Sequence, residues 1–168
     1  GFALNLALFD QTLDGFQSNV FTGTGFALAN AGQQSTRGFE LDSTISPTDA
    51  LVFTFALTHL DPSYDSFTNS AVGDLTGTRP AGIPSFTIAT SATYTQELGS
   101  SGNLLIGRVD YYHESDTQLL EGVPGFGTFE QQRAIARNYT REVNQVNASL
   151  TFAMENGFEL SGYVRNLG

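Results

Sequence analysis

The side chains best suited to hold a ligand are arginines and aromatic rings in two long segments, residues 61–84 and 115–140. A guanidinium group donates bidentate, charge-assisted hydrogen bonds to carboxylates and phosphates, and its flat face stacks on rings. These segments are therefore predicted to bind an anionic ligand that contains rings. The alternative is an ordinary surface that meets only water or lipid headgroups. The candidate contact residues are Tyr64, Arg79, Phe126, Phe129, Arg133 and Arg137.

The two histidines, His59 and His113, are the candidates for acid–base catalysis. A catalytic set needs a histidine beside both a carboxylate and a nucleophile. Glu114 follows His113 directly, but neighbouring residues of a strand point to opposite faces of a sheet. We therefore predict no catalytic residue and no enzymatic activity.

Metal binding is considered for three acidic residues of the first segment: Asp61, Asp65 and Asp74. Calcium prefers oxygen ligands, but the spacing of these residues lacks the pattern of a calcium-binding loop. The chain contains no cysteine, so thiolate metal sites and disulfides are excluded. We predict neither a metal site nor a cofactor.

The elements that must position these residues alternate between apolar and polar side chains with a period of two. In the second of them, Phe39 and Leu41 share one face and Glu40 and Asp42 share the other. This period is typical of β-strands. Seven segments follow it: residues 3–20, 37–45, 51–59, 85–95, 104–114, 144–154 and 158–165.

The connections between these strands alternate between short turns and long segments. Short turns are predicted at residues 46–49, 99–103 and 155–157, where Pro, Asn or Gly occurs. The long segments, with a shorter loop at residues 21–32, would all emerge at the opposite end of the sheet. Outer-membrane barrels have short periplasmic turns, long extracellular loops and strands that alternate lipid-facing and lumen-facing residues. The pattern therefore predicts an all-β, antiparallel transmembrane barrel segment.

Composition agrees with a strand that has one apolar and one neutral polar face. Only 14% of the residues are charged, there is no lysine, and the net charge is −10. Such a chain repels nucleic acid, which is bound through cationic side chains. A soluble β-sandwich is the structural alternative, but its solvated face would carry more lysine and glutamate.

Arg37, Gly38 and Glu40 form the sharpest local motif. One interpretation is a binding site in the barrel lumen. The favoured interpretation is structural: Gly38 lets strands pack closely, while Arg37 and Glu40 pair with neighbouring charges inside the barrel.

Three segments resemble the barrel of TonB-dependent receptors. The first is Asn30-Ala31-Gly32 followed by Thr36-Arg37-Gly38-Phe39-Glu40, the second is Gly77-Thr78-Arg79-Pro80 followed by Pro84, and the third is Gly162-Tyr163-Val164-Arg165-Asn166-Leu167. Their order and spacing are similar to the last third of that barrel. The resemblance covers nearly the whole chain.

The resemblance implies a larger protein in the outer membrane of a Gram-negative bacterium. Its barrel would have roughly 22 strands, preceded by a plug domain and a TonB-contacting segment. Residues 1–168 are expected to be a partial barrel domain without the plug and the final strand. The expected function is TonB-energised import of a scarce nutrient such as a ferric siderophore, with membrane lipid and lipopolysaccharide around the barrel.

Three other functions stay open at this stage. The runner-up is a passive, porin-like channel, which would lack a plug sequence. An outer-membrane hydrolase would depend on His59 or His113. A soluble β-sandwich binding domain would stay folded and monomeric without detergent.

Overall fold

The computed structural model describes residues 1–21, 24–125 and 127–167. It contains seven strands and one helix, which confirms the predicted all-β fold and the number of strands. The elements are β1 (Phe2–Phe21), β2 (Phe26–Thr48), β3 (Leu51–Ser66), β4 (Phe86–Leu98), β5 (Asn103–Gln118), α1 (Phe129–Ala136), β6 (Thr140–Ala153) and β7 (Glu159–Val164).

The strands form one antiparallel sheet in the order β1-β2-β3-β4-β5-β6-β7. Each strand pairs with its neighbours in sequence because turns connect adjacent antiparallel strands. The register aligns the apolar faces of all seven strands. One row across the whole sheet consists of Phe2, Ile45, Phe53, Ala92, Val109, Ala148 and Val164.

The opposite face of the sheet is polar. The row next to the apolar row, on strands β1 to β6, consists of Ala3, Thr44, Thr54, Ser91, Asp110 and Asn147. Thr54 and Ser91 share a hydrogen bond of 2.7 Å across two strands. The sheet therefore has one face suited to hydrocarbon and one suited to a wet lumen, as the alternation predicts.

The predicted loop at residues 21–32 is wrong. β1 continues to Phe21 and β2 begins at Phe26, so the hairpin extends far beyond the other strands. About 9–11 tilted residues cross the hydrocarbon, whereas β1 has 20 residues and β2 has 23. Glycine and alanine weaken the sequence signal, but cross-strand hydrogen bonds still satisfy the backbone of this segment.

The two long predicted loops are shorter and more ordered than the sequence indicates. β3 extends to Ser66 and β5 to Gln118, and the helix α1 lies within the second loop. Turns are also tight: Thr48 pairs directly with Leu51 across the first one. No helix among the described residues has the length and apolarity needed to cross a membrane.

The hydrophobic core lies in the loops rather than in the sheet. In the described part of the chain, the buried apolar side chains are Tyr64, Phe67, Val72, Leu75 and Ala136. All five lie at the long-loop end, Tyr64 near the end of β3 and the other four in the connections. We call residues 61–84, 119–125 and 127–139, together with Phe16, the cap.

Candidate ligand-binding site between the two long loops

A β-bulge directs Phe16 into the core of the cap. Gly15 has a φ of +65°, and the register between β1 and β2 shifts on both sides of Phe16. The bulge places Phe16 opposite Gly32, on the lumen side of the hairpin. There its ring stacks on Tyr64 at 5.5 Å and meets the edge of Phe67 at 5.4 Å.

The two long loops are joined by Arg133. Its guanidinium group donates hydrogen bonds to the carbonyl oxygens of Val72 at 3.1 Å and Asp74 at 3.3 Å. Next to these carbonyls, Gly73 has a φ of +89°, and an added Cβ would lie 2.7 Å from the Phe129 ring. Only glycine therefore allows the first loop to approach the helix so closely.

The helix α1 is positioned by a capping box. Gln131 N donates to the Thr128 hydroxyl at 3.3 Å, and Thr128 N donates to the Gln131 side chain at 2.9 Å. These bonds satisfy two amide groups at the helix start. Arg133 and Arg137 are four residues apart, so they lie on the same face of the helix region.

A cavity of about 150 Å³ lies between the two loops. Arginines from both loops line it: Arg79 comes from the first loop, and Arg133 and Arg137 come from the second. We call it the inter-loop pocket. Its lining consists of Leu75, Thr78, Arg79, Gln118, Glu121, Arg133 and Arg137.

Glu121 connects the two loops at this pocket. Its Oε1 atom accepts a hydrogen bond from the Tyr64 hydroxyl at 2.9 Å and another from Ala81 N at 2.7 Å. Burial raises the pKa of the Tyr64 phenol, and the charge and hydrogen bond of Glu121 raise it further. Tyr64 therefore stays a neutral donor.

Arg79 is held at the long-loop end of the sheet. Its guanidinium group donates to the Leu60 carbonyl at 3.0 Å and lies 3.6 Å from the Asp61 carboxylate. Partial burial lowers the pKa of Arg79, which Asp61 partly offsets. The group nevertheless stays charged in any ordinary buffer.

The structure brings most of the predicted ligand residues together in the cap. Arg79, Arg133 and Arg137 line one pocket, whereas Tyr64 is 8% exposed and reaches it only through Glu121. Phe129 is 54% exposed and covers Gly73. The remaining candidate, Phe126, lies outside the described residues. Their contact with a ligand stays a prediction.

Glu121 was missed by the sequence analysis. Its partners Tyr64 and Ala81 are 57 and 40 residues away in the chain. No local pattern marks such a residue. By contrast, the sequence Thr128-Phe129-Glu130-Gln131 has the form of a capping box and could have revealed the helix start.

The three acidic residues of the first loop have separate roles. Asp61 pairs with Arg79, Asp65 accepts a hydrogen bond from Ser35 at 2.8 Å, and Asp74 accepts one from Thr76 N at 2.9 Å. The Thr76 hydrogen bonds lower the pKa of Asp74. Among the residues that the structure describes, no cluster could hold a metal ion.

Both histidines lie on the apolar face of the sheet. His59 is the cross-strand partner of Phe86, and the Phe86 and His113 rings are 5.3 Å apart. His113 Nδ1 is 2.9 Å from Asn144 Oδ1. Glu114 pairs with Thr87 on the polar face. The histidines thus form part of an aromatic band, which is typical of a membrane interface.

The prediction that Arg37 pairs with a charge inside the barrel is wrong. Arg37 lies on the same face as Phe39 and pairs with Asp10 at 2.9 Å, so this ion pair is on the outer surface and not inside the barrel. An odd-numbered β2 residue points outward because side chains alternate strictly. Gly38 does permit close packing, since an added Cβ would collide with the His59 carbonyl.

The lumen face of β5 and β6 carries its own charge pairs. Arg108 pairs with Asp110 at 2.6 Å, and Arg141 pairs with Glu114 at 2.7 Å. Tyr112 donates a hydrogen bond to Glu114 at 2.7 Å. These groups pair with one another on the polar face of the wall.

Comparison with known proteins agrees with this architecture. Residues 1–167 match the family described as TonB dependent receptor-like, beta-barrel. No curated protein matches the chain significantly. An apolar outer face, a polar inner face and long loops at one end are what a protein of that family requires. The chain belongs to the TonB-dependent receptor β-barrel family and forms part of a receptor in the outer membrane of a Gram-negative bacterium.

Proposed function

We propose that the receptor imports a scarce nutrient such as a ferric siderophore, with energy delivered by the TonB complex. The observation that carries this proposal is the convergence of three arginines from two loops around one pocket in the cap. A plug domain and a TonB-contacting segment elsewhere in the receptor would couple binding to import. A passive channel is the alternative, and its transport would not depend on TonB.

The cap would bind cargo through the residues that the sequence singles out. Many ferric siderophore complexes are anionic and contain rings, so they suit guanidinium groups and aromatic side chains. Phe129 is exposed, and in the described part of the chain Arg137 makes no ion pair. The proposed contact set is Tyr64, Arg79, Phe126, Phe129, Arg133 and Arg137.

The outer face would meet membrane lipid, and the band near His59 and His113 would meet lipopolysaccharide. The row of apolar side chains and the adjacent aromatic band support this assignment. Tyr111 stacks on His113 and extends the band. Amphipathic rings are enriched where a barrel passes from hydrocarbon to headgroups.

The test is an uptake assay in a strain that lacks the receptor. The strain is complemented with the wild type or with the double variant Arg133→Gln/Arg137→Gln, and uptake is measured with radioactive iron on a panel of siderophores. We expect the wild type to restore uptake of at least one complex and the double variant to lower that uptake at least about tenfold, because losing even one charge-assisted contact has an effect of that size.

Two controls make this test decisive. Arg165→Gln removes an arginine outside the cap and should leave uptake unchanged. Deleting the TonB gene should abolish uptake. Uptake that persists without TonB would contradict energised transport, and a panel with no transported complex would contradict the siderophore assignment.

A further inference from the structure

The size of the inter-loop pocket limits what it can hold. Sites for whole small molecules have volumes of roughly 300–1,000 Å³, whereas this pocket has about 150 Å³. A water molecule takes up about 30 Å³ in the liquid. The pocket therefore has room for one functional group of a larger ligand, not for the ligand itself.

The charges around the pocket favour an anionic group. Three arginines face one glutamate, and in the described part of the chain no ion pair joins Glu121 to any of them. Arg133 donates to neutral carbonyl groups, and the nearby Asp74 carboxylate offsets only part of its charge. Among the described residues, Arg79 alone of the three arginines has a carboxylate within ion-pair distance, Asp61 at 3.6 Å.

Glu121 holds the two halves of the pocket together. It belongs to the second loop, but both hydrogen bonds that it accepts come from the first loop. One donor, Ala81 N, is only two residues from Arg79 in the chain. Glu121 thus fixes the turn that carries Arg79 against the loop that carries Arg133 and Arg137. A second backbone bond, from Gly82 N to the Gln118 carbonyl, supports the same junction.

We propose that the inter-loop pocket binds a single carboxylate or phosphate group of the cargo, and that Glu121 is its positioning and specificity-determining residue. Glu121 places the arginines of two loops around the bound group. Its own negative charge repels that group and limits the affinity, and this repulsion is larger for a doubly charged phosphate than for a carboxylate. This inference rests on the proposed function, because it assumes that cargo enters through the cap.

The two roles of Glu121 can be separated by two substitutions. Glu121→Gln keeps an oxygen that accepts from Tyr64 and Ala81 but removes the charge. Glu121→Ala removes both. A role that is only structural predicts no gain of affinity in either variant, whereas the proposed role predicts a gain in Glu121→Gln.

The measurement is calorimetric titration of the full receptor, purified in detergent, with inorganic phosphate and separately with citrate. We expect the wild type to bind at least one of them and Glu121→Gln to bind it about tenfold more tightly, because the repulsion between two like charges in a partly buried pocket is removed. Glu121→Ala should bind at least tenfold more weakly than Glu121→Gln. Binding of phosphate alone or citrate alone would identify which group the pocket takes.

The matched control is Glu130→Gln, which removes the same charge from α1 outside the pocket lining and should leave the affinity unchanged. Equal affinities of the wild type and Glu121→Gln would overturn the inference, as would the absence of binding of either anion to both proteins. If the anions bind in the expected order but uptake does not require TonB, the proposed function fails and this inference survives. If uptake requires TonB and the titrations fail, only the inference is lost.

Discussion

At the scale of single residues, Tyr64 links the core of the cap to its pocket. Its ring packs against Phe16 and Phe67, while its hydroxyl donates to Glu121. Burial removes the phenol from water, and the adjacent carboxylate further disfavours its ionised form. One side chain thus couples apolar packing with the geometry of the arginine pocket.

We expect the phenol of Tyr64 to ionise later than an ordinary tyrosine in an alkaline titration. Because its pKa is raised above the ordinary value of about 10, its stabilising contribution is fully present below that pH and is lost as the pH rises through the folded-state pKa. The measurement is the ultraviolet absorbance of tyrosinate. The titration is made in a Tyr112→Phe background, because the Tyr112 hydroxyl also donates to a carboxylate, Glu114. In that background Tyr64→Phe should remove the late component, whereas Tyr139→Phe, which alters an exposed ring of the cap, should retain it. A late component that persists after both Tyr112→Phe and Tyr64→Phe would contradict the assignment.

At the scale of elements, α1 shows how a short helix is maintained in a loop. A helix of eight residues is marginal by itself. Its capping box, the buried side chains of Gln132 and Ala136, and the bonds from Arg133 to the first loop compensate for its length. The position of two pocket arginines therefore depends on whether this helix forms.

We expect Thr128→Ala to destabilise the helix by about 1 kcal/mol, because it removes the hydroxyl that caps the N-terminus of α1. Hydrogen exchange of the α1 amides, followed by mass spectrometry, should become about fivefold faster, the factor that corresponds to this energy. Thr95→Ala makes the same substitution at the short-turn end of the sheet and should not affect α1. Unchanged exchange in Thr128→Ala would show that packing alone maintains the helix.

At the scale of the whole molecule, the two faces of the sheet are in contact with two different solvents, hydrocarbon and water. In the apolar row, side chains such as Val109 are half exposed because no protein layer covers them. In a soluble protein such a surface would need a partner layer. In a membrane the hydrocarbon covers this surface, and the buried apolar core of the protein lies in the cap.

We expect reporters on neighbouring residues of β6 to sense these different solvents. The chain contains no tryptophan, so Leu150→Trp and Ser149→Trp each add one fluorophore to it. In lipid vesicles with brominated acyl chains, the fluorescence gained in Leu150→Trp should be strongly quenched, because Leu150 is 55% exposed on the apolar face. Ser149 lies on the polar face opposite Tyr163, and its variant should be quenched little. Equal quenching of the two would refute the assignment of the faces.

The strands and their orientation could be predicted from sequence because their signal is local. Each strand alternates apolar and polar residues over its own length, and this pattern alone separates a lipid face from a lumen face. It assigned Phe39 and Leu41 to the apolar face without knowledge of any contact. The same rule explains the error at Arg37, since its odd position on β2 already placed it outside.

The sequence by itself thus determined the β-barrel fold and its membrane-facing side, and it predicted the residues that are proposed to bind cargo. Tertiary structure alone decided how far the first hairpin extends, that a bulge at Gly15 turns Phe16 inward, and that Glu121 joins loops about 40 residues apart. The physical reason is the separation along the chain over which each feature is determined. Side-chain alternation depends on nearest neighbours in the chain, whereas a pocket depends on packing between segments that no local pattern relates.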